Sequence, residues 1–257
     1  KLCAEVKKIF TAINWECNFN KLFSEKNKSC KINVIESINW LFSNQEKGII
    51  LEDDCIPDLT FFNFCKILLK KYEDNDRIMQ INGHCNNQLS SRGESYYFSK
   101  LNSTWGWATW KKSWKHFNTH MDDFKTNNMN QKIEKFYENK DIAEWMIRYF
   151  KTTYNGNDKI WSVNWAYNIL KHNGLVLSPF QNLIHNSGFD GSGTSGNFKE
   201  FNKFSDIKIN SIYKINHPKN INYEKIYDEN FFYNYIQKID QRAKKSFLKK
   251  LLDKFKY

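Results

Sequence analysis

The stretch Gly48-Ile49-Ile50-Leu51-Glu52-Asp53-Asp54-Cys55-Ile56-Pro57-Asp58 decides how this chain is read. Ile49–Leu51 is a short, wholly apolar strand that runs straight into three consecutive carboxylates. Upstream, residues 31–45 put Ile32, Ile35, Ile38, Leu41 and Phe42 on one helical face, and Gly48 ends that helix. Downstream, Asp58 or Thr60 caps a helix over 58–72 that buries Phe61, Phe62, Phe64, Leu68 and Leu69. A further strand, 77–81, ends at Asn82-Gly83. Before all of this, Val6, Ile9, Phe10 and Ile13 mark a helix over 3–13, and the aromatic-rich stretch 15–23 reads as a strand. Helix and strand alternate, which predicts an α/β domain whose mostly parallel sheet is flanked by helices.

Beyond residue 94 the pattern changes. Tyr96–Phe98 reads as a strand, and Trp105-Gly106-Trp107-Ala108-Thr109-Trp110 as an aromatic loop or strand. Helices follow over 131–152, with a break near Lys140, and over 160–172. Gly174–Leu177 is a strand that ends at Pro179, and 187–197 is a Gly/Ser-rich loop. The chain divides into a domain over 1–200 and a polar linker with a basic amphipathic helix over 201–257.

With 257 residues and 43 aromatics, the chain can bury a large core. Ten Gly and three Pro exclude collagen-like or low-complexity architecture. There is no run of apolar residues long enough to cross a bilayer, and no leader pattern at the start, so the expectation is a cytoplasmic protein. Its six cysteines include no Cys-x-x-Cys pair, which reads as free thiols. The net charge of +11 is concentrated at the end: from Lys238 to Lys256 eight basic residues face only Asp240 and Asp253. A nucleic-acid-binding protein is disfavoured, because the basic residues sit in the tail and an acidic triplet would repel phosphates. Adjacent acids on one strand end also lack the cleft-spanning geometry of a glycoside hydrolase.

In an open α/β sheet, ligands bind at the carboxyl ends of the strands, where Glu52, Asp53 and Asp54 concentrate negative charge. Crowded carboxylates repel one another, and a hard divalent cation such as Mn²⁺ or Mg²⁺ relieves that repulsion. A solvated acidic turn leading into a helix N-terminus is the other reading of the same residues.

The acidic stretch resembles the metal-binding motif of nucleotide-sugar glycosyltransferases with the GT-A fold. The chain is most similar to bacterial relatives of the N-acetylglucosaminyltransferase that initiates complex N-glycan branching. The resemblance continues through Trp105–Trp110, Trp161–Trp165 and Asn173–Pro179 to residues 189–194, and so covers about residues 1–196 in order. It implies an N-terminally incomplete GT-A-like domain whose first βα unit would precede Lys1. It also implies a metal-dependent, inverting transfer of a hexosyl or N-acetylhexosaminyl group from a nucleotide-sugar donor, a UDP-sugar, to a carbohydrate or lipid-linked glycan acceptor. On that resemblance Asp54 binds the metal, Asp53 the ribose, and Glu52 the nucleotide or a loop. Gly106 and Trp107 lie beside the transferred sugar, and His84 contacts donor or acceptor. Asp158 is the general base, one residue out of register because Lys159 stands where the family has its Asp. Ser195 replaces a His found after Gly-Thr in relatives. These departures leave a second reading, a degenerate, non-catalytic sugar- or nucleotide-binding protein. The basic helix offers peripheral contact with the inner membrane face, where lipid-linked acceptors would lie.

Overall fold

A computed structural model describes residues 2–9, 12–85, 89–126, 128–156, 160–189 and 208–238. Its first helix, α1 (Leu2–Ile9), is followed by α2 (Cys30–Asn44), which buries Ile38 and Phe42 from the periodic face seen in the sequence. Between them, residues 13–29 form neither helix nor strand. The strand expected over 15–23 is therefore absent: every residue from 14 to 30 is exposed, so no ladder satisfies its backbone. Gly48 lies inside β1 (Lys47–Ile50) rather than at a helix end. It is needed there because a Cβ would come within 2.6 Å of Leu41 Cδ2 on α2.

The chain continues through β2 (Cys55–Pro57) into α3 (Leu59–Lys71) and β3 (Ile78–Asn82). Asp58 caps α3 by accepting from Thr60 N at 2.8 Å. Then come β4 (Tyr96–Ser99), β5 (Trp107–Trp110) and the short α4 (Lys111–Trp114). The break expected near Lys140 separates α5 (Met129–Tyr137) from α6 (Lys140–Tyr154), with Glu138 in the left-handed region between them. The remaining described elements are α7 (Trp161–Lys171), β6 (Leu175–Pro179), β7 (Ile184–Asn186), a 3₁₀ turn over Ser187–Phe189, and α8 (Lys225–Phe231), which runs into a π-helical turn over Phe232–Ile236.

The main sheet has the order β1-β5-β3-β6-β4, and β2 and β7 form a separate antiparallel pair. In the main sheet only β3 and β6 pair in parallel; β1–β5, β3–β5 and β4–β6 are antiparallel. The mostly parallel, GT-A-like sheet expected from the sequence is thus corrected to a mostly antiparallel one. β5 inserts between β1 and β3 in the opposite direction, and β4 runs counter to β6 at the far edge. Strands buried on both faces give the same apolar run whichever way their neighbours run, so helix–strand alternation alone could not reveal this.

Cores lie on both faces of the sheet. On one face α2, α5, α6 and α7 pack with Met79, Trp107 and Val176; on the other α3 packs with Ile78, Ile81, Ala108, Leu175 and Leu177. Residues 208–238 lie against this body, with Ile212, Tyr227 and Phe232 buried. Asp228 pins α8 to the end of β4, accepting from Ser99 Oγ at 2.5 Å and Lys100 N at 2.8 Å. Burial pushes its carboxyl up to about 6 against the pull of those hydrogen bonds. Helical structure thus begins at Lys225, earlier than the 231–256 expected, and the rest of that basic helix, 239–257, lies outside the described residues. No helix among the described residues is long and apolar enough to cross a membrane.

Candidate functional site

Strands β1, β3 and β6 point the same way, so Glu52–Asp54 after β1 and Gly83-His84 after β3 emerge at one sheet edge, where β5 begins. Contacts between backbones draw these segments together. Gly106, at φ +59, turns the chain into β5, and its carbonyl accepts from Gly83 N at 2.8 Å. A Cβ on Gly106 would come within 2.5 Å of Ile184 Cδ1 and 3.2 Å of Leu51 Cδ2. The space that Gly106 leaves is therefore occupied by Ile184 and Leu51. One residue earlier, the Trp105 ring meets His84 edge-on, with ring centroids 4.6 Å apart.

The loop that carries Trp105 is held by a buried amide network. Gln80 Nε2 donates to Asn82 Oδ1 and to Ser103 O, both at 2.6 Å, while Gln80 Oε1 accepts from Trp165 Nε1 at 2.6 Å. Asn82 Oδ1 also accepts from Ser103 N at 3.0 Å, and Asn82 Nδ2 donates to Ser178 Oγ at 2.8 Å. Sequence reasoning missed both residues. Their signal was two amides in the otherwise apolar strand Ile78-Met79-Gln80-Ile81-Asn82, whose five residues are all buried. Buried polar groups must be paired, and these fix the loop in doing so.

The three acids occupy different environments. Glu52 is half-buried, and burial first, then Asp54 and Asp53, push its carboxyl up to about 7. Asp53 is exposed. Asp54 Oδ1 accepts weakly from Cys55 Sγ at 3.4 Å, and its Oδ2 lies against Gly188, where a Cβ would sit 2.6 Å away. Its backbone carbonyl accepts from Ser187 N at 2.8 Å, which ties the acidic turn to the 3₁₀ turn. Asp54 thus lies against the 3₁₀ turn while its charge still acts on Glu52. Burial also pushes the Cys55 thiol up to about 12, so it remains protonated and is a poor metal ligand.

This donor set does not fit a divalent cation. Among the described residues, no group of three His, Cys, Asp or Glu side chains is placed to hold a metal ion. The Mn²⁺ or Mg²⁺ expected at Asp54, and the manganese-dependent GT-A glycosyltransferase description that went with it, are corrected accordingly. Charge crowding is met instead by a raised carboxyl at Glu52.

His84 is buried, with Nε2 lacking a hydrogen-bond partner among the described residues, and burial lowers its imidazole to about 3. Trp107 is fully buried and stacks on Trp161 at 5.7 Å inside the core, turned away from the edge that carries Trp105. Asp158, Lys159 and Ser195 lie outside the described residues. At the far end of the 100–105 loop, a cleft of about 110 Å³ is lined by Asn102, Ser162, Trp145, Tyr149 and Phe231 among others. Trp145 and Tyr149 lie 4.4 Å apart on its α6 wall.

A raised carboxyl costs stability wherever the unfolded chain would ionise it. Glu52→Gln is expected to gain on the order of 1–2 kcal/mol over the parent at pH 8 and nothing at pH 4. Between about pH 4.5 and 7 folded Glu52 holds more protons than the unfolded chain, so its contribution declines as pH rises. Urea unfolding of both proteins at the two pH values measures this.

No protein-family model matches the chain, and no curated protein matches its sequence.

Proposed function

We propose that this is a non-catalytic sugar-binding protein whose ligand is a neutral saccharide, bound without a metal at the edge where β1 and β3 end. The observation that carries the reading is the meeting of the Glu52–Asp54 turn with Trp105 and His84 across Leu51, Gly106 and Gly83. Carboxylates accept hydrogen bonds from vicinal hydroxyls, and a half-exposed indole offers an apolar face to a pyranose ring. Half-protonated near neutrality, Glu52 can also donate to a ring or hydroxyl oxygen. Without a bridging cation the same three acids repel a diphosphate, which favours the neutral sugar over a nucleotide.

Calorimetric titration with N-acetylglucosamine, a panel of short oligosaccharides, UDP and UDP-N-acetylglucosamine, each in EDTA and in Mn²⁺, tests this. The expected result is saccharide binding that Mn²⁺ leaves unchanged and that Trp105→Ala weakens by about tenfold. Binding of UDP that depends on Mn²⁺, or release of UDP from the sugar nucleotide, would overturn the reading. So would a panel in which no saccharide binds.

A further inference from the structure

The cleft of about 110 Å³ at the far end of the 100–105 loop shares no lining residue with the acidic edge. Helical spacing builds two of its walls. Trp145 and Tyr149 are one turn apart on α6, as are Ser162 and Ala166 on α7, so each pair projects from one helix face. Asp228 fixes α8 to the end of β4, and Phe231, three residues further along that helix, closes a third side. Tyr149 is 42% exposed and stacks at 4.4 Å on Trp145, so α6 presents a pair of rings where a solvated helix face would carry charged side chains.

The lining selects its ligand by what it holds and what it lacks. It contains no Asp, Glu, Lys, Arg or His, so nothing there offsets the cost of desolvating a charged molecule. Trp145, Tyr149 and Phe231 supply three aromatic rings, which favour a further ring through offset or edge-on contacts. Met146, buried on α6, adapts its shape to what lies above it. Besides the Tyr149 phenol, the polar groups are the Asn102 amide and the Ser162 hydroxyl, both half-buried. Neither of these two side chains has a hydrogen-bond partner among the described residues. They offer donors and acceptors enough for one hydroxyl group, too few for a monosaccharide with hydroxyls all around its ring. Volume points the same way. A closed apolar cavity of about 150 Å³ holds benzene, and this cleft, open on one side, takes a single ring with a substituent at its mouth.

We infer that the cleft binds a neutral, single-ring phenol, its ring against Trp145, Tyr149 and Phe231 and its hydroxyl on Asn102 and Ser162. The site is separate from the sugar-binding edge and stands whether or not a saccharide binds there.

Fluorine NMR titration of the full chain with para-fluorophenol, fluorobenzene and para-fluorobenzoate at about pH 7 tests this; the first two are neutral there and the third is ionised. Para-fluorophenol should bind saturably with Kd below about 1 mM, and the other two about tenfold more weakly. Asn102→Ala/Ser162→Ala should weaken para-fluorophenol by about tenfold and leave fluorobenzene unchanged. Both replaced side chains are half-buried and unpartnered among the described residues, so an unchanged near-ultraviolet spectrum is expected for that variant. Ala166→Leu, which fills the cleft, should abolish binding of both neutral rings. Absence of saturable para-fluorophenol binding to the parent, or equal affinity in the Asn102→Ala/Ser162→Ala variant, would overturn the inference. So would para-fluorobenzoate binding as tightly as para-fluorophenol, or full binding to a folded Ala166→Leu chain. If Ala166→Leu unfolds, the polar variant decides alone.

Discussion

Trp107→Ala is expected to destabilise the protein by about 3–5 kcal/mol in urea unfolding, enough to leave it partly unfolded at 37 °C. Trp107 has no exposed surface and lies among Trp161, Trp165 and Trp114, with ring centroids 5.7–6.2 Å away. Removing the indole takes away its own transfer free energy and leaves a cavity that three other large rings cannot collapse into. A platform for sugar would behave in the opposite way, with ligand binding lost and stability kept. Trp105→Ala provides that contrast, because Trp105 is only half-buried and stands at the sheet edge. Measuring unfolding and saccharide binding for both variants separates the two tryptophans by role. A Trp107→Ala protein as stable as the parent would refute its placement in the core.

Acid should expose His84 as the second large effect. Folding holds its imidazole neutral down to about pH 3, whereas an unfolded histidine takes up a proton near pH 6.5. The unfolded chain therefore binds more protons over that interval, and this contribution to stability is full above pH 6.5 and declines as pH falls. Between pH 6.5 and 4 the loss amounts to about 3 kcal/mol. Glu52 and Asp228 act in the opposite sense, because raised carboxyls add stability as pH falls through their range. The parent curve alone would blend these effects. The informative quantity is the stability difference between parent and His84→Phe, which keeps a ring against Trp105 but cannot titrate. That difference should shift by about 3 kcal/mol in favour of the variant on going from pH 7 to pH 4. A difference that does not change with pH would show that the imidazole is open to protons in the folded protein.

Much of the architecture could be read locally. Most of the periodic faces of α2 and α3, the Asp58 cap and the break between α5 and α6 each depend on neighbours within a turn or two, so residue type and spacing suffice, although Ile32 and Phe62, read onto those faces, are exposed. The acidic end of β1 was equally plain as a ridge of charge at a sheet edge. Its chemistry was not plain, because a row of three acids does not state where each carboxyl points. The turn into β2 sends Asp54 toward Gly188 and leaves Asp53 in solvent, and among the described residues no three such side chains are placed to hold a cation.

Trp105 and Trp107 show the same limit. They are two residues apart in one aromatic run, yet the first stands half-buried where β5 begins and the second in the core. Gly106, at φ +59, breaks the extended backbone between them, so Trp105 stays outside β5 while Trp107 begins that strand between β1 and β3 and turns into the core. By itself the sequence located α2, α3, α5 to α7, β1, β3, β4 and β6 and the acidic end of β1, since local sterics and hydrophobic period set those, while the strand read over 15–23 has no counterpart and β2 and β7 left no sign of their own. Only the tertiary structure decided strand direction, the partners of Gln80 and Asn82, and the different environments of the acids. Each of these depends on contacts between segments far apart in the chain, and such contacts leave no period in the sequence to read.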